Sequence, residues 1–194
     1  MSLLEMLAQQ AGGSLVADLA RQLGSDEEAT GHAVSAALPA LVGALARNAA
    51  SPGGAESLSN ALQRDHDGSV LDDLSSLISG GSGDGDGILG HVLGSRRAPM
   101  EQSLSRSSGL DAGTMAKLLP LLAPIVMGML GKQQRQQGLD AGGLAGMLSG
   151  EQDRVERRAP GMLGQLLDAD GDGDATDDVL RMGASVLGGL FGKR

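Results

Sequence analysis

Between Leu118 and Leu130 the chain reads LLPLLAPIVMGML, thirteen residues without a charge and with two prolines. A run of this kind has to be removed from water. A helix crossing a bilayer needs about 20 apolar residues, so the run predicts the buried central helix of a folded bundle and no membrane span. Composition limits what surrounds it. Apolar residues make up 41% of the 194, yet there is one Phe, no Trp and no Tyr. The core must therefore be built from Leu, Ala, Val, Ile and Met, which suits close helix–helix packing, while runs suited to strands are scarce. Thirty-two glycines predict frequent interruptions. The expected fold class is all-α: multiple short helices broken at Gly and Pro, arranged as two related helical modules packed into a bundle.

Local signals place those helices. Ser2 with Glu5 fits a capping box ahead of Leu3, Leu4, Met6 and Leu7. Ser14 opens SLVADLARQL, with Leu15, Val16, Leu19 and Leu23 at helical spacing and Gly24 as a stop. Ser25 with Glu28 fits a second capping box, before a helix that Pro39 is expected to kink or break. SPGG (51–54) reads as a loop, AESLSNAL as a short helix, and SGGSGDGDG (79–87) as a flexible linker. In the second half ILGHVLG is a short helix, Pro99 suits a first helical turn, and Asp111 caps the long apolar segment. A weak Gly-rich helix, LDAGGLAGML, and an exposed charged one, EQDRVERR, come before PGMLGQLL.

The two halves resemble each other. AALPALVGAL (36–45) aligns with KLLPLLAPIV (117–126), setting Pro39 opposite Pro120. LQRDHDGSVLDDL (62–74) aligns with LDADGDGDATDDV (167–179), setting Asp65, Asp67, Gly68, Asp72 and Asp73 opposite Asp170, Asp172, Gly173, Asp177 and Asp178. The first offset is 81 residues and the second 105, so 24 residues are inserted in the second half. The expected organisation is a first helical module over 1–79, a Gly-rich linker with a short helix over 80–95, and a second module over 96–194.

The stretch DGILGHVLGSRRAPMEQSLSRSSGLDAGTMAKLLPLLAPIVMGMLGKQ, together with LLDADGDGDATDDVLRMGASVLGGLFG, resembles the bacterial domain-of-unknown-function 937 family, with small YidB-like helical proteins as relatives. The resemblance spans most of the chain, and Leu121 to Gly128 carries most of its specificity. It implies a bacterial, mostly helical protein and brings no activity, substrate or catalytic residue to transfer.

The acidic repeats are the most specific candidate site. In the second, Asp168, Asp170 and Asp172 take positions 1, 3 and 5 of an EF-hand-type loop, Gly173 the turn at 6, Asp174 position 7 and Thr176 position 9. Alternate side chains at this spacing converge on one hard cation that takes six to eight oxygens. Position 12 holds Val179 where a bidentate Glu is required, and Asp178 sits one residue early. The expected metal set is Asp168, Asp170, Asp172, Asp174, Thr176 and Asp178, with Ca²⁺ as the ion; the competing reading is a solvated turn that caps the last helix. The first repeat starts on Gln63 and favours the capping reading.

Other chemistries are disfavoured. The chain has no Cys, which removes disulfides, thiolate zinc sites and cysteine nucleophiles. Its start carries no basic leader, so the cytoplasm is the expected location. The net charge of −9 sits wholly in residues 1–95, which hold three basic and twelve acidic side chains; residues 96–158 hold nine basic and six acidic. An acidic chain repels phosphate backbones, so nucleic acid is not an expected partner. His32, His66 and His91 lack metal-ligand spacing, and His91 is expected inside the core. Ser103 to Ser108 have no base to activate them. Met115, Met127 and Met129 read as core filler.

No catalytic constellation emerges, so an enzyme is not expected. The expected role is a non-enzymatic interaction or self-assembling module, a homo-oligomer or a binder of another protein. Its charge asymmetry suits head-to-tail contacts. The alternative is a calcium-responsive regulator whose last segment, with Val179, Leu180, Met182, Val186, Leu187, Leu190 and Phe191, docks on the protein itself or on a partner.

Overall fold

The computed structural model describes residues 14–66, 68–72, 74–80 and 83–158. Among these every regular element is helical: α1 (Ser14–Leu23), α2 (Glu27–Ala50), α3 (Gly54–Arg64), α4 (Leu74–Gly80), α5 (Gly83–Leu93), α6 (Arg97–Ser108), α7 (Ala112–Gln137) and α8 (Ala141–Arg158), with 3-10 turns at Ser69–Leu71 and Gly94–Arg96. The all-α expectation holds. The helix expected at the start, the PGMLGQLL segment and the last helix lie outside the described residues.

Two of the helices are long, where short ones were expected. α2 runs 24 residues through Pro39, and α7 runs 26 residues through Pro120 and Pro124. Proline removes one i→i−4 hydrogen bond and crowds the preceding turn, a cost of a few kcal/mol in an isolated helix. Burial offsets it. Thirteen residues of α2 and sixteen of α7 are buried, and that packing holds both helices continuous through their prolines.

The starts of the long helices are set by aspartate. Asp111 accepts from the Thr114 backbone N–H at 3.0 Å and from the Thr114 hydroxyl at 2.5 Å. That hydroxyl, and then the backbone N–H, hold the Asp111 carboxyl below its ordinary range. At α2 the cap is Asp26, which accepts from Ala29 N–H at 3.0 Å, and this corrects the Ser25–Glu28 capping box. Ser25 Oγ instead lies 2.8 Å from Thr30 Oγ1, and Glu28 stays in the first turn, where its charge favours the helix dipole. Asp26→Ala is expected to cost about 1 kcal/mol, read as a lower urea midpoint at unchanged slope. An unaltered midpoint would remove the cap from the account.

Two further expectations change. The 79–87 stretch is not a continuous linker, because α5 starts at Gly83 and carries GDGDG as its first turn. The segments read as a weak Gly-rich helix and a separate charged one form one helix, α8, which lies along α2 and α3. Its expected exposed face is partly buried: Val155 is inside, and Glu151 is 3% exposed and meets Arg154 Nη1 at 2.5 Å.

A single hydrophobic cluster runs from Leu15 through Leu148 and draws on α1 to α8, with α2 and α7 supplying eleven residues each and α7 the larger side chains. Leu118, Leu119, Leu122 and Leu130 of α7 are fully buried, as the apolar run required. Both α2 and α7 are long and apolar enough to cross a membrane by length and composition, and 72% of each apolar window is buried inside the protein.

Candidate functional site

The expected cation set, Asp168, Asp170, Asp172, Asp174, Thr176 and Asp178, lies outside the described residues. Among the described residues no group of three or more His, Asp or Glu side chains is placed to hold a metal ion. Of the first acidic repeat, Asp67 and Asp73 are likewise outside, while Asp65, Gly68 and Asp72 show what the turn does. α3 stops at Asp65, whose N–H donates to Ala61 O at 2.9 Å. Gly68 then takes φ +93°, and Ser69–Leu71 wraps into a 3-10 turn with Leu71 buried.

This turn is pressed against α7. A Cβ on Gly131 would fall on the His66 carbonyl oxygen, and a Cβ on Gly128 would strike the Val70 side chain. Gly68 itself comes so near that its Cβ would sit 3.0 Å from Lys132 Cβ. Farther along the same helix, a Cβ on Gly85 would fall on the Pro120 carbonyl oxygen. That carbonyl has lost its usual donor, because the residue four positions on is Pro124, which has no N–H. One Cα–H of Gly85 is aimed at it in its place, a weak hydrogen bond that fits the close crossing. Pro120, Pro124, Gly128 and Gly131 fall at i, i+4, i+8 and i+11, one stripe of α7. α5 and the 66–71 turn lie on that stripe.

Because α3 and α5 both rest on α7 in this way, their outer edges stand apart and leave a groove of about 640 Å³. Leu58 and Ala61 of α3 form one wall, Ile88 and Val92 of α5 the other, and Met127 of α7 lines the floor. Each wall carries apolar residues three or four positions apart, the spacing that receives the side chains of an apolar segment. The end of α2 closes one side, where Asn48 Nδ2 donates to the His91 carbonyl at 3.5 Å. Asp65, His66 and His91 also line the groove. His91 was expected in the core and is exposed, its Nδ1 lying 3.2 Å from Gly87 O. Met115, Met127 and Met129 are buried as expected, with Met127 also facing this opening.

Asp65 is the one carboxylate among the residues that line the groove, and no Lys or Arg lines it. Elsewhere α3 and α5 carry Glu56, Asp84 and Asp86 against one arginine, Arg64. Beyond the groove, Arg97 is tied to Glu101 at 2.8 Å and to Asp86 at 2.6 Å, and these bonds, the one to Glu101 first, raise its pKa above the ordinary arginine value. Arg47 at the end of α2 has its pKa lowered, first by burial and then by the neighbouring charge of Arg96. The serines of the 103–108 stretch satisfy backbone carbonyls: Ser105 Oγ donates to Leu110 O at 2.6 Å and Ser108 Oγ to Leu104 O at 2.7 Å. Inside the core, Gln134 Nε2 donates to Ser59 Oγ at 2.7 Å, linking α7 to α3 by a buried polar contact.

The sequence reading missed the groove and the stripe beneath it. The signal was present as PxxxPxxxGxxG in α7, but Pro and Gly were read as breaks and not as a surface for close approach.

Fold and groove together define the class: an all-helical bundle that carries an open, largely apolar groove with Asp65 in its lining. A family of bacterial proteins of unknown function, DUF937, matches residues 5–133, and the chain belongs to that family. The match covers α1 to most of α7, including the whole groove, and stops before the second acidic repeat. No curated protein and no solved structure matches the chain.

Proposed function

We propose that this protein is a non-enzymatic interaction module that associates with copies of itself, and that the groove between α3 and α5 is its docking face. The observation that carries the reading is the groove itself: about 640 Å³ walled by apolar side chains at helical spacing, within the size range of sites that hold a ligand or a few inserted side chains. Asp65 lines the groove with no Lys or Arg beside it, and residues 96–158 carry nine basic and six acidic side chains, an opposition of sign that suits contact between copies. Ca²⁺ bound at Asp168–Asp178 would reduce the repulsion among six carboxylates and give such assembly an ionic control.

Size-exclusion chromatography with light scattering tests this, run over a hundredfold range of protein concentration, at low and high salt, with Ca²⁺ and with chelator. The mass is expected to rise with concentration, and Ala61→Glu, which sets a charge inside the groove, is expected to hold the protein monomeric while leaving its circular dichroism unchanged. A monomer under every condition would sink self-association. A mass indifferent to Ca²⁺ and chelator would remove the ion from the proposal.

A further inference from the structure

The groove needs an occupant of definite chemistry: apolar side chains at helical spacing for the walls, and a basic group toward Asp65. Between the end of α8 and the close of the sequence, one segment has both. Residues 179–194 read VLRMGASVLGGLFGKR, with Val179, Leu180, Met182, Val186, Leu187, Leu190 and Phe191 as the apolar set. The same residues hold Arg181, Lys193 and Arg194 and no acidic side chain. The groove side shows the reverse balance: Asp65 lines it with no Lys or Arg, and α3 and α5 add Glu56, Asp84 and the Arg97-paired Asp86 against Arg64. Phe191 is the only aromatic side chain of the whole protein, and none of the described core uses one.

Reach does not limit the contact. Twenty residues separate Arg158 from Val179, enough to span up to ~70 Å when extended. A folded unit of this size has a radius of gyration of about 15 Å.

We infer that the segment Val179–Phe191 of this chain is the occupant of the groove between α3 and α5, its apolar residues entering between the walls and its basic residues lying toward Asp65. In dilute solution the segment comes from the same copy, because a short tether holds it at an effective concentration near millimolar. As concentration rises, neighbouring copies exchange segments through the identical contact, which is a low-cost route to assembly. The inference rests on the groove being a docking face.

The chain's lack of cysteine makes the test direct. Ser57 is exposed and lines the groove, so Ser57→Cys and Ser185→Cys are introduced together into the full chain and oxidised. The control pairs Ser185→Cys with Glu28→Cys, an exposed position twenty residues before Asn48 on α2, hence about 30 Å away along the helix. The groove pair is expected to cross-link at least tenfold faster than the control. Adding Val186→Asp and Leu190→Asp, which leave the described core untouched, should remove that preference. Equal rates for the two pairs, or a preference that survives both aspartates, would overturn the inference.

The products separate the two proposals. Cross-links confined to monomers, in a protein whose mass never rises, would keep this inference and end self-association. Mass that rises without preferential cross-linking would do the opposite.

Discussion

Gly131→Ala is expected to cost roughly 3 kcal/mol or more, about the upper end for overpacking a filled site. The added methyl would land on the His66 carbonyl oxygen, with the Leu62 carbonyl 3.4 Å away. Both obstacles are backbone, so no rotamer change relieves them; α3 and the 66–71 turn have to move off α7. That movement would also disturb the groove wall at Ala61 and the Gln134–Ser59 hydrogen bond. Gly146→Ala gives the contrast. Gly146 lies inside α8 with nothing within 4 Å of its Cβ direction, and alanine there is expected to stabilise by about 0.5–1 kcal/mol, since glycine loses more backbone entropy in a helix. Urea unfolding followed at the helical circular-dichroism signal measures both. If the two variants shift the midpoint alike, the close crossing of turn and helix is wrong.

Leu122→Ala is expected to remove between about 2 and 5 kcal/mol, the range for deleting a buried leucine and leaving a cavity. Leu122 is fully buried at the middle of α7. With no aromatic side chain in the described core, large aliphatic residues carry the burial that Phe or Trp would supply elsewhere, and the loss of one is felt accordingly. Leu122→Met keeps the volume and should fall within about 1.5 kcal/mol of the parent. Thermal and urea unfolding of the two variants check this. A mild Leu122→Ala, close to Leu122→Met, would mean that α7 is not the centre of the core.

Much of the helical framework was legible from short stretches of sequence. Ser14–Leu23 ends before Gly24 as read, Asp111 caps the helix that holds the apolar run, and Pro99 sits in the first turn of α6. These signals are local, since a cap, a stop or an apolar stripe needs only residues within a few positions. Where the reading failed, it treated a local cost as decisive. The break allowed for at Pro39 does not occur, and GDGDG, expected to be a flexible linker, is helical, although each weakens an isolated helix. In the folded chain α2 is buried along its length, and Gly85 is useful for the very reason it is a poor helix former: lacking a side chain, it can meet the Pro120 carbonyl.

The candidate site divides along the same line. The acidic repeats stand out because identical residues recur at short, regular spacing. The groove does not, since Ala61, Ile88 and Met127 come from three helices and look like ordinary core positions one at a time.

What the sequence by itself determined is therefore the all-helical class, the Asp111 cap and the identity of the central helix, all of which follow from aliphatic composition and near-neighbour spacing. Only the tertiary structure decided that three proline-bearing turns stay helical, that glycines at 68, 85, 128 and 131 mark crossings, and that a groove opens between α3 and α5. The reason is one of range: whether a missing side chain is a weakness or a seat depends on which distant backbone arrives beside it.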